Sequence, residues 1–264
     1  MIELIDKSVK KGGIMDLYRQ LDLYQAAINE RRPFSGELLN QIRDYYRIGL
    51  TWSSNALEGN TLTESETKVL IEDGLTVGGK SLIYTFEALG HAKAYDFMFT
   101  LLHNETLSEP EILTMHRLFY YGVEQACAGK YRTIEVVITG SKYPVTEPER
   151  IPTEMVELLS WAAHERELLH PVIFAAQMHK RLVFIHPFKD GNGRIARLVM
   201  NAALIQKGFM PAVIPPVLRH EYIELLEKSH RNDKPFERFI AERVFESQKE
   251  IMRLLHIPIP RIGK

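Results

Sequence analysis

Residues 193–207, GRIARLVMNAALIQK, constrain the fold most, because no further breaker occurs before Gly208. Ile195, Leu198, Val199 and Ala202 recur at the spacing of one helical face, which predicts an α-helix with an apolar stripe. Arg194 and Arg197 are three residues apart, so they fall about 60° from each other around the helix axis, on the side away from that stripe. Gly208 suits the left-handed position that follows a helix end.

The turn that opens this helix is His186-Pro187-Phe188-Lys189-Asp190-Gly191-Asn192. Free N–H groups at a helix start bind anions, and glycine lets a phosphate come close to them. Two arginines one turn further on can grip more phosphates. Asp190 offers a hard oxygen ligand of the kind that holds Mg²⁺ when most other ligands come from substrate phosphates. His186 precedes Pro187, is biased out of the right-handed helical region and so ends the helix before it. An imidazole beside a phosphate nest is a candidate general base. Taken singly, His186 reads as a core histidine and the arginines as a solvated pair. Taken together, these independent residue choices point to phosphate chemistry.

Residues 1–13 read as a lead-in. Helical periodicity covers 16–30 and is stopped by Pro33. Ser35 suits the N-cap of a second helix with the stripe Leu38, Leu39, Ile42, Tyr45, Tyr46 and Leu50; it continues through Glu58 and stops at Gly59. A helix C-terminus disfavours a carboxylate, so Glu58 is either an exposed end-of-helix glutamate or the partner of an arginine elsewhere, with Arg197 the expected partner. Thr63-Glu64-Ser65-Glu66 and Ser108-Glu109-Pro110-Glu111 are capping boxes that open helices ending near Gly74 and Gly122. Between them a helix over 81–103 carries Leu82, Phe86, Leu89, Ala92 and Phe97 toward the core. Residues 74–81, GLTVGGKS, fit the phosphate-loop pattern G-x-x-x-x-G-K-[ST]. A helix cap rather than a strand precedes them, and nothing downstream alternates strand with helix, so they read as a plain loop. Residues 130–143, KYRTIEVVITGSKY, are rich in β-branched residues around a Thr-Gly-Ser turn and predict a hairpin. Helices over 152–169 and 171–185 each have proline in the first turn, and the second delivers His186. Helices over 217–231 and 235–255 follow, and HIPIPRIGK reads as a loose tail. The expected fold is all-α, with one β-hairpin.

The residues His186, Phe188, Asp190, Gly191, Asn192, Gly193, Arg194 and Arg197 meet every specified position of H-x-F-x-[DE]-G-N-G-R-x-x-R. The chain therefore resembles the Fic (Fido) family, a helical bundle with one β-hairpin flap. Ser54-Asn55-Ala56-Leu57-Glu58-Gly59 resembles the family's inhibitory motif, [ST]-x-x-x-E-[GN], placed as in the class with an N-terminal inhibitory helix. By this resemblance residues 107–248 are the Fic core, 1–106 an N-terminal helical region carrying the inhibitory motif, and 249–264 a helix end and tail. The resemblance implies a protein adenylyltransferase, which moves AMP from ATP to a Ser, Thr or Tyr hydroxyl of a protein, itself included. It implies His186 as the base, Asp190 as the Mg²⁺ ligand, and Gly191, Asn192 and Gly193 around the α-phosphate. Arg194 and Arg197 would hold the β- and γ-phosphates, and Ser54 and Glu58 would be inhibitory. Tyr222 would lie against adenine, a core or surface tyrosine being the other reading. The hairpin would be the flap that pairs with the target backbone, with Ile138 and Thr139 on the nucleotide. A de-adenylylase using Glu58 as a base, a phosphotransferase of the death-on-curing type and a non-catalytic binding module compete with this reading. The second glycine, Gly193, argues against the phosphotransferase, and the complete motif against the module. A homodimer is left open.

Composition sets the remaining bounds. The 264 residues are 45% hydrophobic and 25% charged, as in an ordinary globular protein able to bury one good-sized core. Lys plus Arg number 33 and Asp plus Glu 34, a net charge of −1, so no basic excess argues for nucleic acid. A single cysteine, Cys127, excludes an internal disulfide and suits a reducing cytoplasm. No run approaches the ~18 apolar residues of a membrane span, and the first residues have no signal-peptide core.

Overall fold

The computed structural model describes residues 14–76, 78–104 and 106–260. Among these the regular elements are all helical: α1 (Ile14–Asn29), α2 (Gly36–Ala56), α3 (Glu64–Glu72), α4 (Leu82–Thr100), α5 (Glu109–Tyr120), α6 (Ile151–Glu165), α7 (Pro171–Ile185), α8 (Asn192–Gln206), α9 (Arg219–Lys228) and α10 (Lys234–Leu254), with 3₁₀ turns at Pro148–Arg150 and Pro216–Leu218. The expected lead-in over 1–13, residue 77 of the phosphate-loop-like run and the last four residues of the tail lie outside the described residues.

The stripe that predicts α8 understates how deeply this helix sits. It packs along α7 and against α4, α5 and α2, and its residues 194–204 are all buried. The face expected to meet solvent is therefore enclosed: Arg194 is 3% and Arg197 4% exposed. Two guanidinium groups placed there need acceptors from the neighbouring helices, since an unpaired buried charge is too costly to keep. That requirement organises the site described below.

Local signals account for the element ends. The Thr63 hydroxyl accepts from Glu66 N at 3.2 Å and Glu66 Oε2 accepts from Thr63 N at 2.7 Å, the reciprocal capping box. Ser108 N donates to Glu111 Oε2 at 2.6 Å in the same way. Helix α2 ends at Ala56, before Glu58, and Gly59 takes a left-handed φ of 94°. Helices α1 and α2 share one continuous core with the rest of the bundle: Leu17, Leu21, Tyr46, Leu50 and Leu57 lie in the same cluster as Ile195, Leu198 and Val199. Helix α1 packs on α10, where Gln248 Nε2 donates to Leu21 O at 3.0 Å. The tail is docked rather than loose at Ile257, whose side chain is buried and whose N–H reaches Met252 O at 2.8 Å.

Two expectations on packing are corrected. Leu82 and Phe86 of α4 do not face the core and are 61% and 38% exposed; Ala88, His91, Ala92, Tyr95 and Met98 do. The reason is the close approach of α4 to α5. A Cβ added to Gly90 would lie 2.1 Å from Phe119 O, so only glycine allows the two backbones to meet along that face. Gly90→Ala is expected to destabilise the fold by about 1–3 kcal/mol through overpacking. Chemical denaturation measures this, and an unchanged midpoint would contradict it. The second correction concerns residues 130–143. They form no regular element and turn where Ser141 N donates to Ile138 O at 3.1 Å, and no strand ladder forms among the described residues. Arg132 takes the place of a ladder: Nη1 donates to Ile134 O at 2.9 Å and Nη2 donates to Thr146 O, bridging the two arms by side chain. No helix of the described residues is long and apolar enough to cross a membrane.

Candidate active site

The site is built where α7 ends and α8 begins. His186 caps α7 in the left-handed region, φ 52° and ψ 56°. Pro187 disfavours the right-handed helical region at the residue before it, so the chain leaves α7 there at a cost of order 1 kcal/mol. The imidazole Nδ1 lies 3.3 Å from Val183 O. Burial pushes its pKa below the usual value, and the Arg132 charge adds to this; the Val183 contact and the charges of Asp190 and Glu58 oppose it. Neutral imidazole, the form that can accept a proton, is thus favoured.

The loop that follows is held from three sides. Asn192 closes it: Oδ1 accepts from Phe188 N at 2.9 Å and Nδ2 donates to Phe188 O at 2.8 Å. His116 of α5 stacks on Phe188 with ring centroids 3.8 Å apart and lies 3.1 Å from Asp190 O through Nε2. Gly129 N donates to His116 Nδ1 at 2.9 Å, so the ring proton sits on Nε2 and points at that carbonyl. Arg132 donates from Nε to His186 O at 2.9 Å. Sequence reasoning missed His116 and Arg132. Both act through backbone carbonyls, which leave no motif in the sequence.

Three ionic contacts then converge on the start of α8. Arg194 Nη1 meets Glu87 Oε1 at 2.6 Å, and its Nη2 meets the Asp190 carboxylate at 3.2 Å, with the guanidinium over the Phe119 ring. Glu87 also accepts from Asn60 Nδ2 at 3.0 Å. Arg197 Nη2 donates to Glu58 Oε1 at 2.7 Å, the partner expected from the helix-end argument. Arg197 is held by more than this pair: Nε donates to Ser54 Oγ at 2.8 Å, Nη2 to Ser54 O at 2.9 Å and Nη1 to Tyr222 Oη at 3.3 Å. The Glu58 carboxylate lies over the helix start, because a Cβ on Gly193 would meet Glu58 Oε1 at 2.5 Å. Burial raises the Glu58 pKa, but the charge and hydrogen bond of Arg197, with Arg194 and Arg219, outweigh it and hold the group below the usual carboxylate range. The Glu58 side chain therefore lies against the Gly193–Arg197 segment, where the sequence predicts an anion to bind.

A sequence profile of the Fic/DOC family matches residues 106–204. The chain is 39% identical over 194 residues to "Protein adenylyltransferase Fic" of Nematostella vectensis, covering 72% of this chain and 45% of that protein. Residues 106–204 are a domain of the Fic/DOC family. The fold of the chain is that of solved Fic structures. Fic-1 of C. elegans, a fragment of residues 134–508, superposes with TM-score 0.81 at 29% identity, over 92% of this chain and 74% of that one. A Fic domain containing signaling protein from Bacteroides thetaiotaomicron superposes with TM-score 0.79 at 27% identity, over 92% of this chain and 99% of that one. The chain spans about half the length of the curated relatives it matches, 45% of the Nematostella protein.

Within this Fic site several residues stand apart from their expected places. Tyr222 is 4% exposed, with its ring near Phe236 and Phe239 and its hydroxyl on Arg197, so it is a core tyrosine rather than an open platform for adenine. The Asn192 side chain is engaged with Phe188 through both its oxygen and its nitrogen, so its amide is not free for a ligand. Ile138 is half-buried and Thr139 exposed at the turn of the flap segment, whose far side is anchored where Glu227 Oε2 accepts from Ser141 Oγ at 2.9 Å. Lys80 of the phosphate-loop-like run donates to Thr61 O at 2.7 Å and caps a local loop.

Proposed function

We propose that this chain is a protein adenylyltransferase that moves AMP from ATP to a Ser, Thr or Tyr hydroxyl of a protein and is held at rest by Glu58. One observation carries the reading: a carboxylate from the end of α2 occupies the helix-start anion site at Gly193 and the Arg197 fork, which is where a nucleotide's terminal phosphates would sit. Relatives named protein adenylyltransferase support it.

The roles follow from the residues. His186, neutral and at the turn before α8, takes the proton of the attacking hydroxyl. The new bond forms between that oxygen and the α-phosphorus, and the bond to the leaving diphosphate breaks in line. The N–H groups of Asn192 and Gly193 and the fork of Arg197 hold the phosphates, the Gly191 N–H being taken at rest by Asp190 Oδ1 at 2.6 Å, so the protein supplies mostly position and charge stabilisation. Asp190 fits a Mg²⁺ ligand: its side chain is 54% exposed, and a single hard carboxylate beside a phosphate site is what an ion bound mainly through substrate needs. When bound, the ion would neutralise phosphate charge. Among the described residues no cluster of three ligating side chains forms a separate metal cage. The flap segment, held by Arg132 and Glu227, would present the target backbone. Cys127, half-buried with its thiol 3.2 Å from Glu124 Oε1, suits a reducing compartment such as the cytoplasm.

Incubation with ATP labelled at either end tests the assignment. Label from the α-phosphate on protein is the expected result; label from the γ-phosphate would mean phosphoryl transfer, and no label would leave hydrolysis or binding. The competing phosphate loop has its own test. Lys80→Ala is expected to leave ATP affinity within about twofold by calorimetry, because its hydrogen bond and its weak pairing with Glu66 are exposed and local. Loss of ATP binding in Lys80→Ala with binding kept in Arg197→Ala would reverse the assignment.

A further inference from the structure

Arg197 can only donate hydrogen bonds, so Tyr222 Oη must accept from its Nη1 at 3.3 Å. The same hydroxyl lies 2.8 Å from His179 Nε2. Two arrangements satisfy this contact. If His179 Nε2 carried the proton, the Tyr222 O–H and the His179 Nδ1 lone pair would both be left without partners. If Tyr222 donates to an unprotonated Nε2, only the Nδ1 N–H is left over, and His179 Nδ1 has no partner among the described residues. The second arrangement leaves fewer buried groups unsatisfied. It makes a directed chain, with Arg197 donating to Tyr222 and Tyr222 donating to His179. His179 is fully buried on α7, against Phe236 of α10, so the chain is anchored in the core rather than at the surface. A buried histidine that keeps an orphan nitrogen where an apolar residue would pack as well calls for a reason other than stability.

Resting on the nucleotide reading above, we infer that Tyr222 and His179 are positioning residues for Arg197, and that they keep its fork aimed at the terminal phosphate whether or not Glu58 is paired with it. Ser54 holds the Nε and Nη2 side of the guanidinium and Tyr222 holds the Nη1 side, so the plane is fixed from both edges without Glu58. Release of Glu58 then uncovers a fork already in place, with no search by the arginine. Tyr222 touches no phosphate in this scheme. It sets ATP against ADP by fixing the group that tells them apart.

The test is calorimetric affinity for ATP and for ADP, with every variant made in the Glu58→Gly protein so that the fork is free. Tyr222→Phe keeps the ring and removes only the hydroxyl, which is both the acceptor for Arg197 and the donor to His179. It is expected to weaken ATP about tenfold, as for loss of a hydrogen bond to a charged group, with ADP changed less than twofold. Arg197→Ala should show the same selectivity for ATP, and more strongly. His179→Leu should follow Tyr222→Phe, while His179→Gln, which restores an acceptor, should return toward the parent. Thermal melting of each variant separates this loss from a fold defect, since a folding loss weakens both nucleotides together. If Arg197→Ala discriminates ATP from ADP but Tyr222→Phe weakens both equally or neither, the positioning role is overturned and Tyr222 is a core residue only. If Arg197→Ala itself treats the two nucleotides alike, the phosphate role of Arg197 falls, and the positioning role with it.

Discussion

Glu58→Gly is expected to raise the initial rate of AMP transfer about a hundredfold. The Glu58 carboxylate sits over Gly193 and bonds the Arg197 fork at 2.7 Å, in the place the terminal phosphate would take. Its side chain is still 36% open to solvent, so the block is a competing anion rather than a sealed cavity. ATP bound beside it would have its phosphates displaced from the in-line path, and a misplacement of ~1 Å costs on the order of a hundredfold. Removing the carboxylate leaves Arg197 anchored on Ser54 and Tyr222, so the site opens without losing its grip. Arg197→Ala should not activate, because it removes inhibitor partner and phosphate donor together, and the double variant should resemble Arg197→Ala. The measurement is the rate of α-phosphate label transfer for the four proteins. A rate in Glu58→Gly equal to or below the parent, with the fold intact by circular dichroism, would leave Glu58 as a surface glutamate or a hydrolytic base.

The Glu58–Arg197 pair was legible from one half that breaks a local rule and one that offers a partner. A carboxylate at a helix C-terminus opposes the macrodipole, and Arg197 presents a guanidinium fork able to meet it. Helix existence was legible too, from capping boxes at Thr63 and Ser108 and from the stripe of α8. What the stripe could not convey is enclosure. Periodicity reports which face is most apolar, not whether the opposite face meets water or three more helices, and so Arg194 and Arg197 read as outward-facing. Glu87 follows from the same blind spot: only once Arg194 is known to be buried does a second carboxylate become necessary. Residues 130–143 read as a hairpin because β-branched composition reports a preference for strand backbone and not pairing, which Arg132 replaces by bridging carbonyls. His116, His179 and Arg132 had no signal at all. Their partners are a carbonyl, a phenol and a set of carbonyls brought together only by the fold.

His186→Ala is expected to lower AMP transfer by a factor of about 10²–10⁴, the usual worth of a positioned general base, while ATP binding is kept. The left-handed backbone at His186 complicates alanine, which tolerates φ 52° poorly, so His186→Asn is the better control: asparagine accepts that conformation and offers no base. Both should show this loss, and Asn should melt closer to the parent. The pH profile supplies an independent check. Transfer needs the neutral imidazole. Burial lowers the His186 pKa, so activity should persist as pH falls through the usual imidazole value near 6.5 and fail only below it. The Glu58 charge pulls the other way by favouring imidazolium, so Glu58→Gly should move the acid limb lower still. An acid limb at or above 6.5 in the activated protein, or transfer by His186→Asn within a few-fold of the parent, would show that the proton goes elsewhere and that His186 serves only to turn the chain from α7 into α8.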